Sequence, residues 1–166
     1  MNKQNTKEKV VLLIHGDGGH RAKMKLLYTY INIDCSHLKY INICENEDCL
    51  EKVNIKFNFP VIRDKYSRYK TILNMFTSTY QILRLLFKIQ KKYDVRVILS
   101  TGPGISILPS IFFKFSGTKI IHLETDSRFK TISLSGRILH HIADKFYVPN
   151  KSLLSLYKNS EYSGRL

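Results

Sequence analysis

The sequence predicts an α/β fold, a mostly parallel sheet with helices on both faces. Three observations predict it. Continuous apolar runs of strand length recur along the chain, such as KVVLLIH at residues 9–15 and KIIHLE at residues 119–124. Strands of that composition are covered on both faces. Segments of helical character separate these runs, which is the βαβ alternation of parallel sheets. Glycine-rich turns close two of the runs, GDGGH at residues 16–20 and TGPG at residues 101–104.

The elements follow in order. Residues 9–15 form the first strand, and a helix runs from the glycine turn to about residue 31. Residues 37–44 and the alternating VNIKFNF at 53–59 read as two strands, the second closed by Pro60. Residues 71–93 make a long helix with a wide apolar surface. DVRVILS at 94–100 is a strand, and 105–115 is helical, with Pro109 either kinking that helix or opening it at its first turn. After the strand at 119–124, Ser135 is placed to cap a short helix through Ala143. Residues 145–148 are a last core strand. Residues 1–8 read as a polar tail and residues 9–166 as a single domain.

Composition bounds the function. The chain has 166 residues, 43% of them hydrophobic, with no Trp, enough for one ordinary core and unlike a disordered chain. No apolar run approaches the roughly 18 residues that a membrane span needs, and the polar start argues against a secretory signal. Three cysteines, Cys35, Cys44 and Cys49, lack metal-ligand spacing. They suit a reducing cytoplasm better than a disulfide framework. The formal charge is +14, and residues 56–96 hold ten Lys or Arg against two Asp. Such a region attracts nucleic acid, anionic lipid or a phosphorylated substrate, unless it is only a solvated face. Within it Arg84, Lys88, Lys91 and Lys92 step along one side of the long helix, the spacing of a basic stripe on an interfacial helix. A deeply packed core helix is the alternative. The acidic cluster Glu45, Glu47, Asp48 and Glu51 reads as a solvated loop.

Open parallel sheets bind ligands beyond the carboxyl ends of their strands, and three features fall there. Gly16, Gly18 and Gly19 form a turn whose backbone N–H groups suit an anion at a helix start. It is neither a complete dinucleotide fingerprint, since Arg21 stands at the third glycine, nor a Walker loop. Gly102, Pro103 and Gly104 form the second turn, which is equally a rigid connection. Glu124, at the end of an apolar strand, is a candidate for proton transfer or an ion-pair partner of Arg128. His20, beside the first turn, is the best general acid or base, with a helix-start packing role as the alternative. His15 and His122 read as core histidines. The pair His140 and His141 faces different directions on a helix, and with no Cys/His cluster at ligand spacing neither a metal nor a cofactor is predicted.

GDGGH, TGPG, KIIHLETDSR, SLSGRILHHIADKFYV and a final YSGRL, in that order, resemble one glycosyltransferase-subunit family over nearly the whole chain. It comprises the eukaryotic membrane-anchoring subunit of the dolichol-pathway UDP-N-acetylglucosamine transferase, together with bacterial PssD-like and CpsF-like polysaccharide proteins. The resemblance implies a Rossmann-like domain equivalent to the N-terminal, acceptor-side half of a MurG-type GT-B enzyme. A separate small subunit would supply the half that binds the nucleotide sugar. It further implies that Gly16, Gly18, Gly19 and His20 face an acceptor diphosphate. Gly102, Pro103 and Gly104 match the family's second loop, and Glu124, Arg128, Ser133, Ser135 and Gly136 its later motifs. Asp17, Ile105 and the Val148-Pro149-Asn150 segment depart from the family pattern, and the transmembrane helix of the eukaryotic members is missing.

The function expected on these grounds is the acceptor- and membrane-binding subunit of a two-chain glycosyltransferase. It would act on a polyprenyl-diphosphate-linked saccharide at the cytoplasmic face of the plasma membrane, with no nucleic-acid partner. A stand-alone nucleotide-binding enzyme is the second reading, and a basic nucleic-acid-binding module, without RRM-like aromatic motifs, the third.

Overall fold

The computed structural model describes residues 7–34, 37–45, 49–51, 53, 55–59 and 68–165. Among the described residues seven strands form one sheet: β1 (Glu8–His15), β2 (Lys39–Glu45), β3 (Ile55–Phe59), β4 (Tyr93–Ser100), β5 (Lys119–Leu123), β6 (Lys145–Val148) and β7 (Glu161–Tyr162). The helices are α1 (Gly19–Asp34), α2 (Arg68–Lys92), α3 (Ile107–Lys114) and α4 (Leu134–Ile142), with short 3-10 turns at Gly104–Ser106 and Lys151–Leu153. The strand order is β3-β2-β1-β4-β5-β6-β7, and every pairing is parallel. This is the doubly wound order, and its direction reverses between β1 and β4.

Successive residues of a strand face opposite sides, and β1 shows the consequence. Leu12 and Ile14 join Ile41, Ile43, Ile98 and Ile120 on one face, under Ile82, Leu86 and Ile89 of α2 and Phe113 of α3. Leu13 joins Leu99 and Leu123 on the other, under Met24 and Tyr28 of α1. A third cluster, Leu139, Phe146, Val148, Leu153 and Tyr157, seats α4. Helices therefore cover both faces, as the apolar runs require.

Pro109 falls in the first turn of α3, where a missing N–H breaks no helical bond, so it opens the helix. The cap of α4 is Ser133, not Ser135: the Ser133 Oγ accepts the Gly136 N–H at 2.8 Å. Two serines two residues apart are indistinguishable by type, and the extended backbone of Ser133 (φ −79°, ψ 158°) decides between them. β7 was not expected. Its two residues pair with β6, and Lys145 meets Glu161 across that edge. Cys44 and Cys49 are joined as a disulfide, with their Cα atoms 5.4 Å apart. The expectation of no disulfide framework fails because Cys49 comes back beside Cys44 near the end of β2. Pro60, Glu47, Asp48 and Cys35 lie outside the described residues.

Candidate functional site

The parallel register brings the ends of β1 and β4 side by side, with Ile14 opposite Ser100. The two glycine turns meet there and interlock. The Gly16 N–H donates to the Gly102 carbonyl at 3.0 Å, and the Gly102 N–H to Ser100 Oγ at 3.2 Å. A Cβ on Gly16 would strike the Pro103 ring, so only glycine permits this approach. A Cβ on Gly102 (φ +85°) would stand 3.1 Å from Cε1 of the His20 ring. The Gly16 and Gly102 N–H groups are thus committed within the fold, whereas Gly18, Gly19 and Gly104 border open space. The half-buried Glu45 carboxylate approaches Gly16 and accepts a backbone hydrogen bond from Asp17, and burial, then the Asp17 charge, raises its pKa. Glu45 is therefore part of the rim and not of a solvated loop.

His20 is held from two sides. Its Nδ1 donates to the Thr101 carbonyl at 2.5 Å, and Thr101 Oγ1 donates to the His20 carbonyl at 2.9 Å. A carbonyl only accepts, so Nδ1 carries a proton, and a neutral imidazole in this tautomer has its lone pair on Nε2. The ring borders a cleft of about 310 Å³, lined by Gly19, His20, Lys23, Thr125, Asp126 and Ser127.

Glu124 faces inward and is 2% exposed. Its Oε1 accepts the Thr125 N–H at 2.9 Å, and its Oε2 accepts from Ser133 Oγ at 2.9 Å and Tyr157 Oη at 2.5 Å. Tyr157 Oη in turn accepts the Ser133 N–H at 3.1 Å. Burial, then the bond to Glu124, pushes the Tyr157 hydroxyl pKa up. Gly136 leaves no room for a side chain beside this group. The carboxylate thus ties β5, the α4 cap and the C-terminal segment into one knot. The expected Glu124–Arg128 pair does not form: Arg128 Nη1 donates to Thr131 Oγ1 at 3.1 Å. Ser135 touches the knot only through Ser133, at 3.3 Å.

His15 and His122 are buried, as expected of core histidines. Burial lowers both, His122 to about 4, where the neighbouring Glu124 charge opposes the shift without reversing it. The His140 and His141 rings lie side by side, with centroids 3.8 Å apart, instead of diverging. Among the described residues no three His, Cys, Asp or Glu side chains gather as a metal site would require.

Residues 11–166 match the family described as "Oligosaccharide biosynthesis protein Alg14 like". The chain belongs to the Alg14-like family. It is 28% identical over 180 residues to the UDP-N-acetylglucosamine transferase subunit alg14 of Schizosaccharomyces pombe, covering 98% of this chain and 86% of the relative. It is 25% identical to the subunit ALG14 of Rattus norvegicus, covering 94% and 82%. Among solved structures, MurG of Acinetobacter baumannii superposes with a TM-score of 0.62 at 9% identity. A UDP-N-acetylglucosamine 2-epimerase superposes at 0.67 with 17% identity. The chain covers 44% and 49% of those two molecules. At such identities the likeness concerns the fold, a Rossmann-like domain of the GT-B kind.

This Alg14-like chain turns one stripe of α2 inward, Ile82, Leu86 and Ile89. Arg84, Lys88, Lys91 and Lys92 are exposed on its outer side, and so is Phe87, at 60%. Phe87 packs edge-on against Phe112 of α3, and Phe115 follows at 91% exposure. Among the described residues no helix is long and apolar enough to cross a membrane. Sequence reasoning passed over Lys23, Asp126 and Tyr157. Lys23 reads as an ordinary helix-surface lysine, and no local pattern marks its burial. Tyr157 lies 33 residues from Glu124, and only the packing of the last segment brings them together.

Proposed function

We propose that this chain is the acceptor-side subunit of a two-chain glycosyltransferase that moves a sugar from a UDP-sugar to a polyprenyl-diphosphate-linked saccharide. The carrying observation is His20, whose Nδ1 is held by the Thr101 carbonyl at the end of β4 and which lines a cleft between the start of α1 and the segment after β5. The names of the family relatives, subunits of a UDP-N-acetylglucosamine transferase, support both the reaction class and a donor-binding partner chain. In this reading the acceptor hydroxyl attacks the anomeric carbon held by the partner, and the bond from that carbon to the diphosphate oxygen breaks. UDP departs, and the hydroxyl proton passes to His20 Nε2. Gly18, Gly19 and Gly104 border the acceptor diphosphate. Arg128, Ser133, Ser135 and Glu124 shape the loop beside it. Gly16, Gly102 and Pro103 hold His20 in place.

The chain works at the cytoplasmic face of the plasma membrane, in polysaccharide synthesis of the capsule or exopolysaccharide kind. Arg84, Lys88, Lys91 and Lys92 face anionic headgroups, with Phe87 and Phe115 as apolar contacts. The test is reconstitution. Co-expression with a small GT-B C-terminal-half subunit should yield transfer from a UDP-sugar to a lipid-diphosphate acceptor, while either chain alone is nearly inactive. Full turnover by the isolated chain would refute the division of labour.

A further inference from the structure

The cleft beside His20 has a cation built into its floor. Lys23 is 6% exposed, although it rises from the start of a surface helix. An ammonium has three N–H donors. Two are committed, to the Glu124 carbonyl at 2.9 Å and to Asp126 Oδ1 at 2.8 Å. The third has no acceptor among the described residues, and Lys23 lines the cleft. Thr125 and Ser127 add hydroxyls, 3.2 Å from each other. The first turn of α1 adds its positive end at Gly19 and His20. All of these suit an anion except Asp126.

The pair itself is asymmetric. The Lys23 side chain is 4% exposed, whereas that of Asp126 is 36% exposed. A buried cation needs an opposite charge, and the carboxylate that provides it lines the same cleft and is the more exposed of the two. We propose that Lys23 is the cation of a phosphate site in this cleft, and that Asp126 holds the phosphate's place until a diphosphate ester displaces it. The inference rests on the acceptor reading above and deepens it, assigning the diphosphate's counter-charge to Lys23.

A displaceable placeholder and a fixed strut predict opposite signs. Asp126→Asn keeps the shape but removes the competing charge, so the full chain should bind inorganic pyrophosphate more tightly, by about threefold or more. Lys23→Met should weaken binding about tenfold, the worth of one charge-assisted hydrogen bond, and the double variant should match Lys23→Met. Titration calorimetry measures each, with circular dichroism to verify folding. If Lys23→Met does not fold, Asp126→Asn decides alone: unchanged or weaker binding overturns the proposal. Geranyl diphosphate and UDP then compete against bound pyrophosphate. Displacement by either supports the site and identifies a lipid or a nucleotide source, while displacement by neither overturns it. Pyrophosphate binding needs no partner chain. A transfer reaction that fails in the reconstituted pair would therefore leave this site standing, and an unresponsive Asp126→Asn would leave the transferase reading standing.

Discussion

Gly136→Ala reverses the usual sign of a helix substitution. In an exposed helix interior, replacing Gly by Ala stabilises by about 1 kcal/mol. Gly136 sits in the first turn of α4, three residues after its cap, but is buried. A Cβ there would overlap Glu124 Oε2 and Tyr157 Oη and stand 2.8 Å from Ser133 Oγ. None of these atoms is the loose end of a surface chain: Glu124 and Tyr157 are buried, and Ser133 is the cap. Relief requires breaking at least one buried hydrogen bond to a carboxylate, about 1.5–3 kcal/mol. Overpacking adds about 1–3 kcal/mol. Against the propensity gain, the net loss is about 1.5–5 kcal/mol. For a chain of 166 residues, each kcal/mol shifts Tm by about 2–4 °C, so the midpoint should fall by roughly 3–20 °C. Thermal and urea unfolding followed by far-UV circular dichroism measure it. Gly104→Ala is the control, because a Cβ there meets nothing and the change should stay within about 0.5 kcal/mol. A Gly136→Ala protein as stable as the parent would refute the close-packed knot.

His20→Ala should lower turnover of the reconstituted pair at least tenfold, within the roughly 10²–10⁴ range of general acid–base catalysis. Partner binding, read by gel filtration, should not change. Changing Arg84, Lys88, Lys91 and Lys92 together to Gln should release the chain from anionic vesicles, at about 1 kcal/mol per residue. Co-sedimentation unaffected by the four changes would make the stripe a solvated face. His122 gives a pH dependence: its folded pKa, about 4, lies below its ordinary 6.5. Its contribution to stability is complete above pH 6.5 and is lost as pH falls toward about 4, because the unfolded chain then binds the extra proton. His122→Asn should flatten the urea-midpoint profile across that window.

Local chemistry alone determined much of this protein. Apolar runs such as VVLLI can be buried only on both faces, so β1 and β5 were legible, and β6 at residues 145–148 agrees to the residue. The glycine turns were legible because close backbone approach and positive φ leave few other residue types. His20 stood out as a titratable group beside such a turn. What the tertiary structure decided are pairings that no local period encodes. The β3-β2-β1-β4-β5-β6-β7 order puts Gly16 against Gly102, and therefore Thr101 against His20. The same order sends Lys23 to Asp126, 103 residues away, and turns Glu124 inward to Ser133 and Tyr157. Ser133 displaces Ser135 as the cap because its extended backbone brings its Oγ to the Gly136 N–H, and the same Oγ donates to that carboxylate. The physical reason is one of range: side-chain period and turn chemistry act over a few residues. Which charge meets which across a sheet is settled only when the whole chain buries its apolar faces together.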